Sequence, residues 1–170
     1  MSTAIQPPDD LTQRFGEVLV APDGAWEISV PAASAHDALA YLGLEREPAF
    51  SLFIDVFGVD HGEQIEIIYH ASRPETGDLC RVRTRVPRIG GSIATVTDIW
   101  LGAGWPEREL MEMYGVGIEG HPDPRHLLLP DDWKGFPLRK DYQYPDHPYL
   151  TPDPMREDPG KYLSEHPIEE

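Results

Sequence analysis

The stretch "ERELMEMYG", residues 107–115, sets Glu107, Glu109 and Glu112 around Arg108 on a segment with helical spacing. A pair of carboxylates could do general acid–base work of the kind that cleaves glycosidic bonds. The spacing argues against that chemistry. Positions 107 and 109 point to different sides of a helix, and a general acid needs its carboxyl held in an apolar pocket. Arg108 and Glu112, four apart, read as a surface ion pair contributing about 0.2–0.5 kcal/mol. Glu107 and Glu109 suit the positive end of the helix dipole. The seven histidines form no HExxH motif and no His/Cys cluster at zinc spacing. In "HPDPRH", two prolines separate His121 from His126, so no helix face joins them, and hydrogen bonds to carbonyls are their expected use. Cys80 is the single cysteine. It cannot form an internal disulfide or hold an iron–sulfur cluster alone, and it reads as a small buried hydrophobe. "RIGGSIA" has adjacent glycines but neither phosphate-binding pattern.

The elements that must position these residues show in the periodicity. The first ten residues, with Pro7 and Pro8, read as frayed. "RFGEVLV" and "WEISV" flank the turn signal "APDG" and read as a hairpin. "AASAHDALAYLGLERE" reads as a helix capped by Ser34, with Ala38, Leu39, Leu42 and Leu44 on its apolar face. "FSLFIDVFGVD" is apolar almost throughout and reads as a central strand. In "EQIEIIYHAS", Ile65, Ile67 and Tyr69 alternate with Glu66, Ile68 and His70. In "LCRVRTRVP", Cys80, Val82 and Thr84 alternate with Arg81, Arg83 and Arg85. The turns between these runs predict an antiparallel meander. The three arginines face either water along an edge strand or acidic groups on this chain or another. "SIATVTDIW" and "PERELMEMYG" read as two short helices. In the second, Pro106 opens the helix, Leu110, Met113 and Tyr114 form its stripe, and Gly115 gives a left-handed stop.

Beyond Gly115 regular structure is expected to fade. Ten of the 18 prolines lie in the last 50 residues, which suits neither a helix interior nor a central strand. Yet the segment carries Leu127, Leu128, Leu129, Trp133, Phe136, Leu138, Tyr142, Tyr144 and Tyr149. Burying each would contribute about 1.5–3 kcal/mol before ordering costs, so the segment reads as an extended arm lying in a groove, part of which can belong to another chain. The division is an α+β domain over 1–115, with residues 1–10 frayed, and an arm over 116–170 that docks on a partner. The 170 residues carry a formal net charge of −16, which argues against free binding to nucleic acid or to an anionic membrane. The start, "MSTAIQPPDD", lacks the basic and apolar regions of a secretory signal, and no apolar run approaches the roughly 20 residues that span a bilayer.

The run "VTDIWLGAGWPERELMEMYGVGIEGHPDPRHLLLPDDWKGFPLRKDY", residues 96–142, closely resembles the C-type, 30 kDa peripheral-arm subunit of respiratory complex I, the proton-pumping NADH:quinone oxidoreductase. The motifs are Glu107-Arg108-Glu109, Tyr114-Gly115, Glu119 to Pro122, Arg125 to Leu129, Pro130 to Trp133 and Pro137 to Tyr142. A weaker likeness runs upstream through "FIDVFGVDHGEQIEIIYHA". Met113 and "RIGGSIA" depart from the pattern without touching the central motif. The resemblance implies an α+β fold: a mixed, mainly antiparallel sheet with helices packed on one side, then a long extended proline-rich C-terminal arm. It implies a non-catalytic subunit with no cofactor of its own, FMN and the iron–sulfur clusters belonging to neighbouring subunits. Its partners are the large D-type subunit, related in fold to hydrogenase large subunits, and other hydrophilic-arm subunits. It meets the membrane only through the complex, on the cytoplasmic face of the bacterial inner membrane. The residues expected at the subunit interface or anchoring the arm are Trp105, Glu107, Arg108, Glu109, His121, Arg125, Trp133, Leu138, Arg139, Lys140 and Tyr142. Arg108, Arg125, Arg139 and Lys140 are expected to pair with acids across the junction, unless Arg108 staples its own helix to the arm. Other readings are the homologous subunit of a membrane-bound hydrogenase or ferredoxin-fed relative, an independent enzyme using the carboxylates, and an acidic mimic of nucleic acid.

Overall fold

A computed structural model describes residues 7–143. The chain opens with α1 (Asp9–Phe15), which buries Leu11 completely. Asp9 and Asp10 are therefore helical rather than frayed, and Asp10 accepts a 2.7 Å hydrogen bond from Arg46. Residues 1–6 lie outside the described residues. The hairpin expected around "APDG" is formed by β1 (Val18–Val20) and β2 (Trp26–Ser29). Next comes α2 (Ala32–Ala40), extended by a π-turn over Tyr41–Glu45. It starts after Pro31, which pre-sets the entry into the first turn, and Ser34 is not its cap. Ala38, Leu39 and Leu42 are buried as the spacing predicts, whereas Leu44 is exposed on the π-turn.

Three long strands follow: β3 (Leu52–Asp60), β4 (Gln64–Arg73) and β5 (Asp78–Pro87). They pair antiparallel as the predicted meander. The order across the sheet is β1-β2-β5-β4-β3, with β2 and β5 parallel. This is the mixed, mainly antiparallel sheet of an α+β fold. It overturns one expectation: β3 is an edge strand, not a central one. Its apolar sequence leaves Leu52, Ile54 and Phe57 exposed, and a register shift between Phe53 and Asp55 interrupts the ladder there.

One sheet face carries Trp26, Ile28, Ile65, Ile67, Tyr69, Cys80, Val82 and Val86 into a core shared with Leu39, Leu42, Trp100 and Leu110. The other carries the arginine ladder. Because β5 lies between β2 and β4, its arginines meet acids of this same chain. Arg81 pairs with Asp23 and Glu27, Arg83 with Glu27 and Glu66, and Arg85 with Glu66. Glu66 also lies 3.0 Å from His61 and is almost fully buried.

The segment 92–100 is not the predicted helix. Ser92–Ala94 form β6, a short strand with buried Ile93, and a turn through Val96 leads to Trp100, whose indole donates to Phe50 O at 3.1 Å. A 3-10 turn at Leu101–Ala103 leads into α3 (Gly104–Tyr114). Pro106 sits in its first turn, where a missing N–H costs nothing. Gly115 ends it at φ +69°, the left-handed cap that the sequence predicts. Then β7 (Gly117–Glu119) pairs parallel with β6. Past β7 the described chain runs without helix or strand to residue 143. Tyr144, Tyr149 and the rest of the acidic end lie outside the described residues.

Candidate functional site

Residues 120–143 form a strap laid along α3, and its anchors are charged side chains acting on main chain. The i, i+3, i+4, i+7 face of α3 that meets the core is Glu107, Leu110, Met111 and Tyr114, which includes a carboxylate. Glu107 has no solvent exposure. It accepts from Thr95 Oγ1 at 2.6 Å and from Val96 N at 2.7 Å, so it ties α3 to the turn after β6. Burial pushes its carboxyl up from the ordinary value, with the two hydrogen bonds pulling only part of the way back. Beside it, His121 accepts from Asp123 N at Nδ1, 3.0 Å, which leaves the proton on Nε2 for Gly104 O at 2.9 Å. Nε2 also lies 3.8 Å from the Glu107 carboxylate. The expected hydrogen bonding to carbonyls therefore describes His121, and also His126, whose Nδ1 lies 3.1 Å from Pro130 O.

Arg108 and Glu112 do not pair with each other. Arg108 donates to Arg125 O at 2.8 Å and to His126 O at 2.6 Å, with Asp123 at 3.4 Å. Glu112 is 4% exposed and accepts from the amides of Leu127, Leu128 and Leu129 at 2.9, 2.9 and 3.3 Å. One helix turn thus grips carbonyls with a cation and amides with an anion. The i, i+4 reading fails because the strap offers Glu112 three part-buried amides and Arg108 two carbonyls, a larger set of partners than the two side chains offer each other.

The strap's far end is fixed the same way. Arg139 donates to Tyr114 O at 2.6 Å and Arg88 O at 2.8 Å, and its guanidinium lies 4.2 Å from the centre of the Phe136 ring. Leu138 N donates to Met113 O at 3.1 Å, and Lys140 N to the Asp60 carboxylate at 2.8 Å. Burial pushes the Asp60 carboxyl up. The amides of Lys140 and Gly62, helped by Arg88 and Lys140, outweigh this and hold it below its ordinary value. Arg88 pairs with Asp141, Tyr142 hydroxyl donates to Lys134 O, and Trp133 stacks with Tyr142. Gly115 is required here for a second reason: a Cβ would stand 2.5 Å from both Arg139 and Phe136.

Of the eleven residues singled out from the sequence, Glu107, Arg108, His121, Arg139 and Tyr142 turn inward on this chain, as does the main chain of Lys140. Arg125 is exposed and pairs with Asp123, whose carboxyl it pulls down to about 2. Trp105, Glu109 and Leu138 face solvent, Trp105 at 71% exposure. Trp105 and Glu109 line an open groove of about 490 Å³ with Leu101, Gly102, Pro106 and Leu127. The sequence reading missed Asp60, Glu66, Arg88 and Thr95 and misassigned Glu112, whereas Phe136, named with the apolar groups of the arm, packs beside Arg139 and Gly115. Only Glu107 gave a readable sign of burial, through its place in the apolar stripe. Among the described residues no group of three or more His, Cys, Asp or Glu could hold a metal ion, and no helix is long and apolar enough to cross a membrane.

These contacts define a class: an α+β domain with a strapped C-terminal segment, whose buried charges hold its own main chain in shape. The family described as respiratory-chain NADH dehydrogenase, 30 Kd subunit, matches residues 28–148, and the chain belongs to that family. A relative in Phocaeicola vulgatus, named as the C/D subunit of NADH-quinone oxidoreductase, is 35% identical over 138 residues, 80% of this chain and 26% of that one. The C subunit of NADH-quinone oxidoreductase from Geobacter metallireducens is 42% identical over 103 residues, 58% of this chain and 64% of that one. The matched region thus spans less than two thirds of either relative. Among solved structures, a chain of a membrane-bound sulfane sulfur reductase, an archaeal respiratory membrane complex, superposes with a TM-score of 0.68 at 26% identity, covering 95% of this chain and 92% of that one.

Proposed function

We propose that this chain is a structural subunit of the hydrophilic arm of a proton-translocating NADH:quinone oxidoreductase, and that it docks on the large D-type subunit. Neighbouring subunits carry electrons from NADH through FMN and iron–sulfur centres to quinone, and this chain holds no redox group. The observation that carries the reading is family membership over residues 28–148, joined to a relative whose name puts the C and D subunits in one polypeptide. Two segments fused in one chain are held at high effective concentration, which suits partners that touch. The geometry supports the same role. Arg108, Glu112 and Arg139 spend their charges within this chain, while Leu101, Trp105 and Leu128 remain at 91%, 71% and 63% exposure. Apolar and aromatic groups of this kind anchor subunit interfaces. With a net charge of −16, the chain meets an anionic membrane only through its complex, on the cytoplasmic face.

The test is extraction of the tagged full-length chain from membranes in mild detergent, with identification of the chains that accompany it. The D-type subunit at 1:1 and NADH:quinone turnover are expected in the extracted complex, and no flavin and no turnover in the chain purified alone. Recovery with a nickel-binding hydrogenase subunit would shift the assignment to a membrane-bound hydrogenase, and turnover by the isolated chain would overturn it. Arg108→Ala and Arg139→Ala are expected to lower the yield of assembled complex while turnover per complex stays within about twofold, because each loosens the strap without touching an electron carrier.

A further inference from the structure

At the outer edge of β3, what the sequence encodes and what the described fold covers differ. The strand is nine residues long and apolar enough to read as buried on both sides, yet no strand pairs with its outer edge among the described residues. Leu52, Ile54 and Phe57 are left at 50%, 47% and 38% exposure. An open apolar edge is a template for another strand, and a chain that keeps one uncovered risks aggregation. The protections present are slight: the register shift beside Ile54, and Asp55, whose carboxylate holds the Val56 amide at 2.8 Å.

Beside this edge runs a narrow cleft of about 80 Å³ between β3 and α3, lined by Asp55 to Gly58, Glu109, Leu110, Tyr114 and Leu138. Both of its rim charges are negative. Glu109 is exposed and makes no hydrogen bond or ion pair among the described residues, unlike Glu107 and Glu112 on the same helix. Glu109 also lines the larger groove with Leu101 and Trp105, so the two grooves share a wall. Among the described residues, the surface therefore combines unpaired backbone, apolar side chains and negative charge with no cation in the cleft lining. That combination is complementary to an extended chain with apolar residues on one face and a lysine or arginine on the other.

We propose that β3 accepts a sixth strand: an extended, basic segment of the neighbouring subunit, paired along residues 52–57, with a lysine or arginine entering the cleft between Asp55 and Glu109. This rests on the reading of the chain as a subunit of a larger complex, and it names the surface and the kind of segment that surface takes. The test compares amide hydrogen exchange of the wild-type chain, free and in the extracted complex. Amides of 52–57 are expected to exchange at least about tenfold more slowly in the complex. Glu109→Lys, at a position with no partner among the described residues, is expected to lower recovery of the partner at least about tenfold with an unchanged melting profile. A photoreactive benzoylphenylalanine at position 54 is expected to capture a lysine- or arginine-containing segment of another chain. Equal exchange in both states would overturn the proposal. So would wild-type recovery with Glu109→Lys, or capture of a second copy or of residues 144–170 of the same chain. If the wild-type chain recovers no partner at all, the subunit reading itself falls. If it recovers the partner with 52–57 unprotected, only the sixth strand falls.

Discussion

Replacing Glu112 by alanine tests whether charged side chains acting on main chain hold the strap. The carboxylate is 4% exposed and receives amides at 2.9, 2.9 and 3.3 Å. A hydrogen bond to a charged group contributes about 1.5–3 kcal/mol, so the two short bonds set the scale and the long one adds little. Leu127 and Leu128 have only part-buried amides, so water that enters the vacated space recovers some of the loss. The net expectation is about 2–4 kcal/mol less favourable docking of residues 125–129, which raises local opening roughly 30- to 900-fold. Opening should stay local. Phe136, Leu138 and Arg139 still hold the far end, and the β4 core of Ile65, Ile67 and Tyr69 does not depend on Glu112. Native-state hydrogen exchange reads both quantities at once. Amides 127–129 should accelerate by about two orders of magnitude, and those of 65–69 by less than about threefold. Unchanged exchange at 127–129 would show that the carboxylate is ornamental. Equal acceleration in β4 would show that strap and core unfold as one unit, and the local argument would fail.

Three further perturbations separate the other contributions. Glu66→Gln should cost about 1–2 kcal/mol at pH 7 by removing the negative charge shared by His61, Arg83 and Arg85 and putting an NH2 donor in place of one carboxylate oxygen. Burial pushes the Glu66 carboxyl up but these partners outweigh it, so its folded pKa lies below the ordinary value. Its contribution is therefore full above that ordinary value and lost as pH falls through the folded one, and the variant should flatten acid unfolding. Glu107→Gln has the opposite sign. Burial raises the folded pKa, so the native state holds its proton where the unfolded state does not, and stability falls as pH rises through that window. The amide should remove the decline without loss at neutral pH, since it can still accept from Val96 N and donate to Thr95 Oγ1; urea midpoints against pH decide. Gly115→Ala should cost at least about 2 kcal/mol, from the left-handed φ and from a Cβ driven into Phe136 and Arg139. Gly120→Ala shares the positive φ but meets only Thr95 at 3.5 Å and should cost about half as much, so equal losses would refute the close approach.

What could be read from the sequence was local. The alternation of β4 and β5, the "APDG" hairpin and the Gly115 stop each depend on residues within a few positions of one another. What could not be read depends on distant pairing. β6 has three residues and gains its strand geometry from Gly117–Glu119, beyond a whole helix, so "SIATV" alone carries no period that separates strand from helix. The place of β5 beside β2 comes from a parallel crossover spanning two other strands, and only that crossover brings Asp23 and Glu27 to the arginines. β3 was misread for a physical reason: an apolar run reports that both faces want cover, not who supplies it. In the candidate site, the chemistry-bearing residues were visible and their partners were not. Glu112 bonds amides 15 to 17 residues away, and the i, i+4 rule considers only the helix on which it sits.

The strap's anchoring follows from its proline content. A segment so rich in proline lacks the amide ladder that would satisfy a strand, yet its carbonyls and remaining amides must find partners where water is excluded. Side chains from the folded domain supply them at both ends: Glu112 for amides and Arg108 for carbonyls over residues 125–129, and Asp60 for the amide of Lys140. Arg139 returns the grip from the strap itself, donating to the carbonyls of Tyr114 and Arg88. The main chain is thereby held from one side. Leu128 and Leu138 turn outward at 63% and 47% exposure on a fixed backbone rather than a wandering one. A partner that buries them meets groups whose ordering cost is already met within this chain, and a docking surface that is ordered in advance binds more tightly for the same area. Arg108 and Arg139, which donate to their own chain's carbonyls, are therefore expected to act on assembly through the shape of the strap. Truncating either should be felt across the whole outward face of the strap, not at one ion pair with the neighbour.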